Sequence, residues 1–356
     1  MRKRLIMLNN VCFLAKFSTL YDEILYSPIF RSTVQKSFFK ECFESIKQKY
    51  PLVIWAEDVE IENTDEILAW DADHEIKAFG DSILPFQNRL FSSIDFELKG
   101  SFTSFKKMAE ELLPDKFTDF IEPFNQKLIL DLNYYFDEKK LAATYFETRN
   151  GLLGRDFSTK FSKYLSSGLL DVKYLYNRVK QFEEENDANK STYWIIFELL
   201  WREFFYWHYQ QHGRYYFSRT GIKESSYDFT AVKLYTVEQL KGLTDIEFFH
   251  AALNELTQTG FLSNRVRQIF ASIWINDLNL DWRSGAEFFE SYLIDYDVYS
   301  NYGNWMYLAG VGVDPRGKRH FNIEKQLKSY DPSNKYIKTW SSLHLLSNGL
   351  TYQTTC

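Results

Sequence analysis

The apolar positions of this chain change their period partway along it. Up to about residue 85 they come in short runs: LIML and VCFL read as strands, Thr33 to Tyr50 has helical periodicity, and Pro51 opens the strand-like PLVIWAED. From about Asp115 onward one helical segment follows another, with short polar breaks between them. The sharpest is TYWIIFELLWREFFYWHYQQH, bounded by Ser191 as a good N-cap and by Gly213 as a stop. Another helix covers Phe248 to Gln258 and ends at Gly260, and a third begins near Ser263. Residues 214–245, with Gly221, Ser225, Ser226 and Gly242, read as a connector, and the stretch from Ser341 as a polar, frayed end. There is no internal repeat and no low-complexity segment. The expectation is a mainly α chain: a reduced α/β domain over 1–85, connecting helices over 86–130, a helical domain over 131–340 and a tail over 341–356.

Composition narrows this in a few places. The 356 residues can bury a large core, and no apolar run approaches the roughly 18 residues that span a bilayer, so no membrane association is expected. The opening MRKRLIMLNNVCFL is interrupted by Asn9 and Asn10 and lacks a small-residue cleavage site, so it reads as a first strand and not a signal peptide. Cys12, Cys42 and Cys356 are scattered, which argues for a reducing, cytoplasmic setting and excludes a four-cysteine iron–sulfur cluster. A net charge of −6 offers no global field for nucleic acid, which leaves a local basic patch as the only route to it. Nine Trp, 24 Tyr and 32 Phe mostly imply a helical core packed with rings; function is to be sought in the remainder.

Candidate chemistry is densest between Ala286 and Gly312. There Asp295, Asp297, Asn301, Asn304, Trp305 and Tyr307 fall within thirteen positions. Burying so many polar groups among rings requires polar partners, which a large heteroaromatic ligand with hydrogen-bonding edges would supply. In the long helix, Trp194, Glu198, Trp201, Arg202 and Phe205 share one face, either as an ion pair in the core or as the floor of a cavity. Ser263 to Gln268 sets Asn264 and Arg267 one turn apart, with Arg267 able to pair with Asp295 and leave Asp297 for a ligand. Ser158, Thr159, Lys160, Phe161 and Ser162 offer hydroxyls, amides and an ammonium suited to a diphosphate, or simply a helix cap. There is no GxGxxG, Walker-type or GxSxG motif, and His208 and His212, four apart, have no third metal ligand nearby, so no metal is expected.

Taken together and in this order, YFETRNGLLGRDFSTKFSKYLSSG, STYWIIFELLWREFF, TGFLSNRVRQ, DWRSGAEFFESYLIDYDVYSNYGNW, AGVGVDPRGKRHFN and YDPSNKYIKTW closely resemble the photolyase/cryptochrome family, in particular its DASH branch, across roughly residues 78–340. The resemblance implies an all-helical domain that binds FAD in a folded form. It places Tyr145 and Ser158–Ser162 at the diphosphate, and Arg202, Asn264, Arg267, Asp295, Asp297 and Asn304 around the rest of the cofactor. Asn301 would face the reducible edge of the flavin, where photolyases generally carry Asn. It further implies light-driven splitting of cyclobutane pyrimidine dimers, in flipped-out or single-stranded DNA. Trp201 would stack on the dimer, Glu198 would bond its polar edge, and Gln268 and Tyr307 would line the opposite wall. Arg149, Arg202, Arg316, Lys318 and Arg319 would contact phosphates. Such a protein is expected to act as a monomer.

The chain also departs from the family pattern. The opening strand signature is missing and the α/β portion is short, with the connecting FGDSILPF arriving early, so no folate antenna is expected. Trp305 and Trp282 match the inner two tryptophans of the photoreduction triad, while the outer position falls near Phe229, with Tyr227 as a substitute. Near His250, at Asn254 and across Gly312, Val313 and Asp314 the usual residues are replaced. Two other readings stay open: an FAD-binding blue-light sensor without repair activity, and a degenerate flavoprotein with no photocycle.

Overall fold

A computed structural model of the chain describes residues 4–7, 23–26, 32–49, 53–55, 66–68, 88–91, 101–223, 228–313 and 317–342. The expectations that fall on VCFL, FGDSILPF, Tyr227, Arg316 and the tail lie outside these residues. The fold is mainly helical, with a small parallel sheet near its start, as the change of period implies. Strands β1 (Arg4–Met7), β2 (Glu23–Tyr26), β3 (Val53–Trp55) and β4 (Glu66–Leu68) lie in the order β3-β2-β1-β4. Met7 stands opposite Tyr26 and Leu68, and Tyr26 opposite Trp55.

The chain forms two compact units that alternate along the sequence. The first comprises residues 1–94, 114–143 and 160–192; the second comprises 95–113, 144–159 and 193–356. In the first, helix α1 (Thr33–Lys49) turns Phe39, Cys42, Phe43 and Ile46 inward, the i, i+3, i+4, i+7 stripe of an amphipathic helix. Burial pushes the Cys42 thiol well above its ordinary range, so it is an inert packing group. Asn88 is 3% exposed, yet every polar atom of its amide is used. It donates to the Leu165 and Leu170 carbonyls at 3.0 and 2.8 Å and accepts from the Val172 amide at 2.9 Å.

The second unit holds most of the functional candidates. Helix α2 (Phe102–Leu112) begins at Ser101, whose hydroxyl accepts from the Ser104 amide. Continuing the labels through both units, α3 is Gln126–Asn133, α4 Tyr145–Thr148, α5 Ser162–Ser167, α6 Val172–Asn186 and α7 Lys190–His212. Helices α8 (Val237–Lys241), α9 (Glu247–Thr259), α10 (Asn264–Ser272), α11 (Trp282–Tyr292), α12 (Val298–Ala309), α13 (Ile323–Tyr330) and α14 (Lys335–Ser342) follow. The stop of α9 at Gly260 is observed, with a left-handed φ of 68° that suits glycine. Ser263 caps α10 by accepting from the Val266 amide. The start of α7 differs from expectation: Asn189 accepts from the Ser191 and Thr192 amides at 2.7 and 3.1 Å, and Ser191 is already helical. Five-residue π turns prolong α3 (Tyr134–Glu138) and α10 (Ile273–Asp277), a feature that hydrophobic spacing does not reveal.

Candidate functional site

Five residues of α7 were expected on one face, and they meet partners from the same unit. Glu198 accepts from Arg149 Nη1 at 2.7 Å and from Trp194 Nε1 at 3.1 Å. The Arg149 guanidinium lies 4.9 Å from the Trp194 ring centre, so it combines an ion pair with a cation–π contact. Burial raises the Glu198 carboxyl above its ordinary range, with the Arg149 charge and the Trp194 hydrogen bond opposing the shift. The residue expected to grip phosphate and the residue expected to grip a base are thus bonded to each other.

Trp201 is covered on one face. Phe102, the first residue of α2, stacks on it with centroids 3.7 Å apart and planes at 5°. Phe102 is itself edge-on to Phe197 and Phe204. Lys106 donates to the Tyr193 hydroxyl at 3.0 Å and that hydroxyl donates to Glu110 at 2.6 Å, which fastens α2 along α7. Tyr307 stands nearly perpendicular to Trp201, at 82° and 6.3 Å, and its hydroxyl accepts from Arg319 Nη2 at 2.7 Å. Lys318 is exposed and donates to the Ile275 carbonyl at 3.3 Å. The basic loop is therefore tied to one wall of the Trp201–Tyr307 corner. Gln268 is half-buried on α10.

The polar cluster forms where α11 hands over to α12. Asp295 receives both of its short bonds, 2.9 and 2.8 Å, from one nitrogen of Arg267, whose Nε also donates to the Leu262 carbonyl. The expected pair is present, with the Asp295 side chain only 3% exposed. Asp297 is less available than expected. It caps α12 by accepting from the Ser300 amide at 2.8 Å, and its other oxygen lies 3.7 Å from Arg202. Arg202, 10% exposed at its side chain, is placed for a buried carboxylate more than for solvent-facing phosphate. Asn301 donates to the Ala286 carbonyl at 2.9 Å, and no described protein group donates to its amide oxygen. Asn304 and Asn264 are exposed; Asn304 donates back to the Ser300 carbonyl at 2.7 Å.

Tyr145 opens α4, and burial lifts its phenol well above the ordinary range. Ser158 and Thr159 are half-buried at the end of their segment. Lys160 takes a left-handed φ of 58°, and Ser162 opens α5. Phe161 is a core side chain, 1% exposed, that stacks with Phe136, so only its backbone is available to a ligand. Trp305 is buried against Trp274 and Phe289, while the Trp282 ring meets Tyr302. His208 and His212 pack ring to ring at 4.5 Å, and the described residues hold no group of three metal-ligating side chains. The sequence pattern did not single out Phe102, Trp274 or Arg265, which lies 4.4 Å from the Tyr330 ring and donates to Asn150. Each looked like an ordinary core or helix-surface position, and only the three-dimensional neighbours distinguish them.

Comparison with known proteins agrees with this geometry. Residues 194–349 match the family described as the FAD binding domain of DNA photolyase. Cryptochrome DASH of Vibrio parahaemolyticus is 48% identical over 208 residues, covering 58% of this chain and 46% of that protein. Cryptochrome DASH of Danio rerio is 47% identical over 210 residues, covering 59% and 40%. The matched stretch thus spans less than half the length of these curated relatives. The Synechocystis cryptochrome structure superposes with a TM-score of 0.76 at 26% identity, covering 95% of this chain and 88% of that one. An archaeal photolyase from Sulfolobus tokodaii with two FAD molecules shares the fold, with a TM-score of 0.66 at 18% identity over 96% and 93% of the two chains. Residues 194–349 are similar to a photolyase-type FAD-binding domain, and the described fold is that of photolyases and cryptochromes. The relatives it is similar to at the sequence level are of the DASH type.

Proposed function

We propose that this protein binds folded FAD and uses light to split cyclobutane pyrimidine dimers in single-stranded or looped-out DNA, as a cytoplasmic monomer without a folate antenna. The observation that carries this reading is the right-angled corner made by Trp201 of α7 and Tyr307 of α12, the two helices that also carry Glu198 and Asn301. The donor set fits a flavin: a charge-balanced Arg267–Asp295 pair, the Asp297–Arg202 pair and an Asn301 oxygen with no described protein donor. Bound FAD supplies the photo-excitable electron carrier; the chain supplies position. Arg267 and Asp295 hold each other rigid beside the ring system, and Asn301 is oriented by the Ala286 carbonyl so that its oxygen accepts from the ligand. Trp201 and Tyr307 stack on and flank an extruded base. Glu198, oriented by Arg149 and Trp194, turns its carboxylate to the polar edge of the base, where it accepts a ring N–H. Arg319 and Lys318 approach the backbone phosphates from the same side as Tyr307.

The deciding experiment illuminates reduced, FAD-loaded protein with near-ultraviolet or blue light in the presence of dimer-bearing oligo(dT). Disappearance of dimers supports repair. A preparation that binds FAD but leaves the dimers intact favours the light-sensor reading, for which Phe102 lying across Trp201 is the supporting observation. The absorption spectrum of the same protein tests the antenna: flavin bands with no strong near-ultraviolet peak are expected.

A further inference from the structure

The redox-active side chains of α11, α12, the π turn after α10 and the 228–236 loop are arranged in a way the family pattern does not anticipate. Trp305 is 2% exposed and pressed against Gly285, where a Cβ would come within 2.3 Å of its ring. Of the two rings that meet it, Phe289 at 5.2 Å resists oxidation, and Trp274 stands at 6.0 Å between centroids and 77° between planes. Trp274 is fully buried, and its indole N–H donates to the Asp281 carbonyl at 3.1 Å and to the Ser284 hydroxyl at 3.3 Å. On its far side Tyr235 meets it edge-on, at 5.7 Å and 87°. Tyr235 is half-buried, so the line from Trp305 reaches water in two ring contacts. Trp282, by contrast, meets Tyr302 at 6.1 Å and donates to the Arg219 carbonyl. The place that spacing gives to an outer tryptophan, Phe229, holds a phenyl ring that resists oxidation; it is 47% exposed and lies beside Tyr215 and Arg214.

We propose that Trp274 and Tyr235 form a second electron-supply line to Trp305, separate from Trp282 and ending at a tyrosine. This rests on the reading that FAD sits beside α12. The rings touch, and electron tunnelling decays steeply with the gap between rings, so short hops through contacting aromatics outpace one long transfer. Trp305 gives one electron to the photo-excited oxidised flavin and is refilled by Trp274, which is refilled in turn by Tyr235. The two carbonyl and hydroxyl oxygens on the Trp274 N–H stabilise the positive charge while it resides there. At Tyr235 the charge does not stay. The Lys233 ammonium lies 4.7 Å from its ring centre and disfavours a second cation, so the phenol releases its proton to water as it loses the electron. The neutral tyrosyl radical that remains is reduced by an external thiol, which returns one electron and one proton.

The test follows FAD-loaded protein by transient absorption and electron paramagnetic resonance after a light pulse, comparing wild type with Tyr235→Phe, Trp274→Phe and Trp282→Phe. The expected result is a tyrosyl radical in wild type that disappears in Tyr235→Phe and Trp274→Phe, with flavin photoreduction slowed severalfold in both. Tyr235→Phe removes only one hydroxyl near the surface, so it reports even where Trp274→Phe fails to fold. If FAD binds and Trp282→Phe alone stops photoreduction while Tyr235→Phe leaves the radical spectrum unchanged, the second line is overturned and the flavin reading stands. If the protein takes up no FAD on reconstitution, both fall together.

Discussion

A ring already lying flat on Trp201 changes what a base must do to bind there. Base–aromatic stacking contributes about 1–3 kcal/mol, and Phe102 takes up one face of the platform. Trp201→Ala is therefore expected to weaken binding of a dimer-bearing oligonucleotide by about 1–3 kcal/mol, and Phe102→Ala to tighten it. Fluorescence anisotropy titration with labelled oligonucleotide checks both, and a Phe102→Ala variant of unchanged affinity would show that ligands use the other face. The sequence made Glu198 and Trp201 visible through helical spacing, and made the Arg267–Asp295 pair visible through complementary charge. It could not show that Glu198 is engaged by Arg149, nor that Phe102 covers Trp201, because both partners are far away in the chain and unremarkable in their own segments.

Between elements, α11 and α12 are held close by a glycine. Gly285 has no room for a Cβ, since Trp305 fills the space beside it. Gly285→Ala is expected to force Trp305 aside and destabilise the fold by about 1–3 kcal/mol, as overpacking of a tight core does, measurable by urea unfolding. Helix existence and most ends were legible, because Gly260 and Ser263 punctuate the chain with chemistry that only helix termini want. The shifted start of α7 was not: Ser191 and Asn189 are both good caps, and Asn189 prevails because its one oxygen satisfies two amides. The π turn at Ile273–Asp277, which carries Trp274, adds a residue without leaving a trace in the apolar pattern.

For the whole molecule, pH acts through a pair of imidazoles, His208 buried and His212 half-buried. Burial first, and the nearby His212 second, push His208 down to about 3, while burial alone lowers His212. A base whose folded value lies below its unfolded 6.5 stays neutral when folded and takes up a proton only on unfolding. Its contribution to stability is thus complete above pH 6.5 and is lost as pH falls from there toward 3. Each such proton changes unfolding free energy by up to about 1.4 kcal/mol per pH unit, so urea midpoints should fall between pH 7 and 5. His208→Gln should flatten that slope, and an unchanged slope would remove the pair as its cause. A different long-range dependence originates at Gly260, whose carbonyl receives the Ile294 amide at 2.9 Å, one residue before Asp295. Giving that turn a side chain would strain its left-handed backbone and loosen the mooring of the acid, although every group proposed to face the cofactor would keep its identity. Gly260→Ala should accordingly bind flavin more weakly at undiminished helix content, a defect that no inspection of the ligand-facing residues would anticipate.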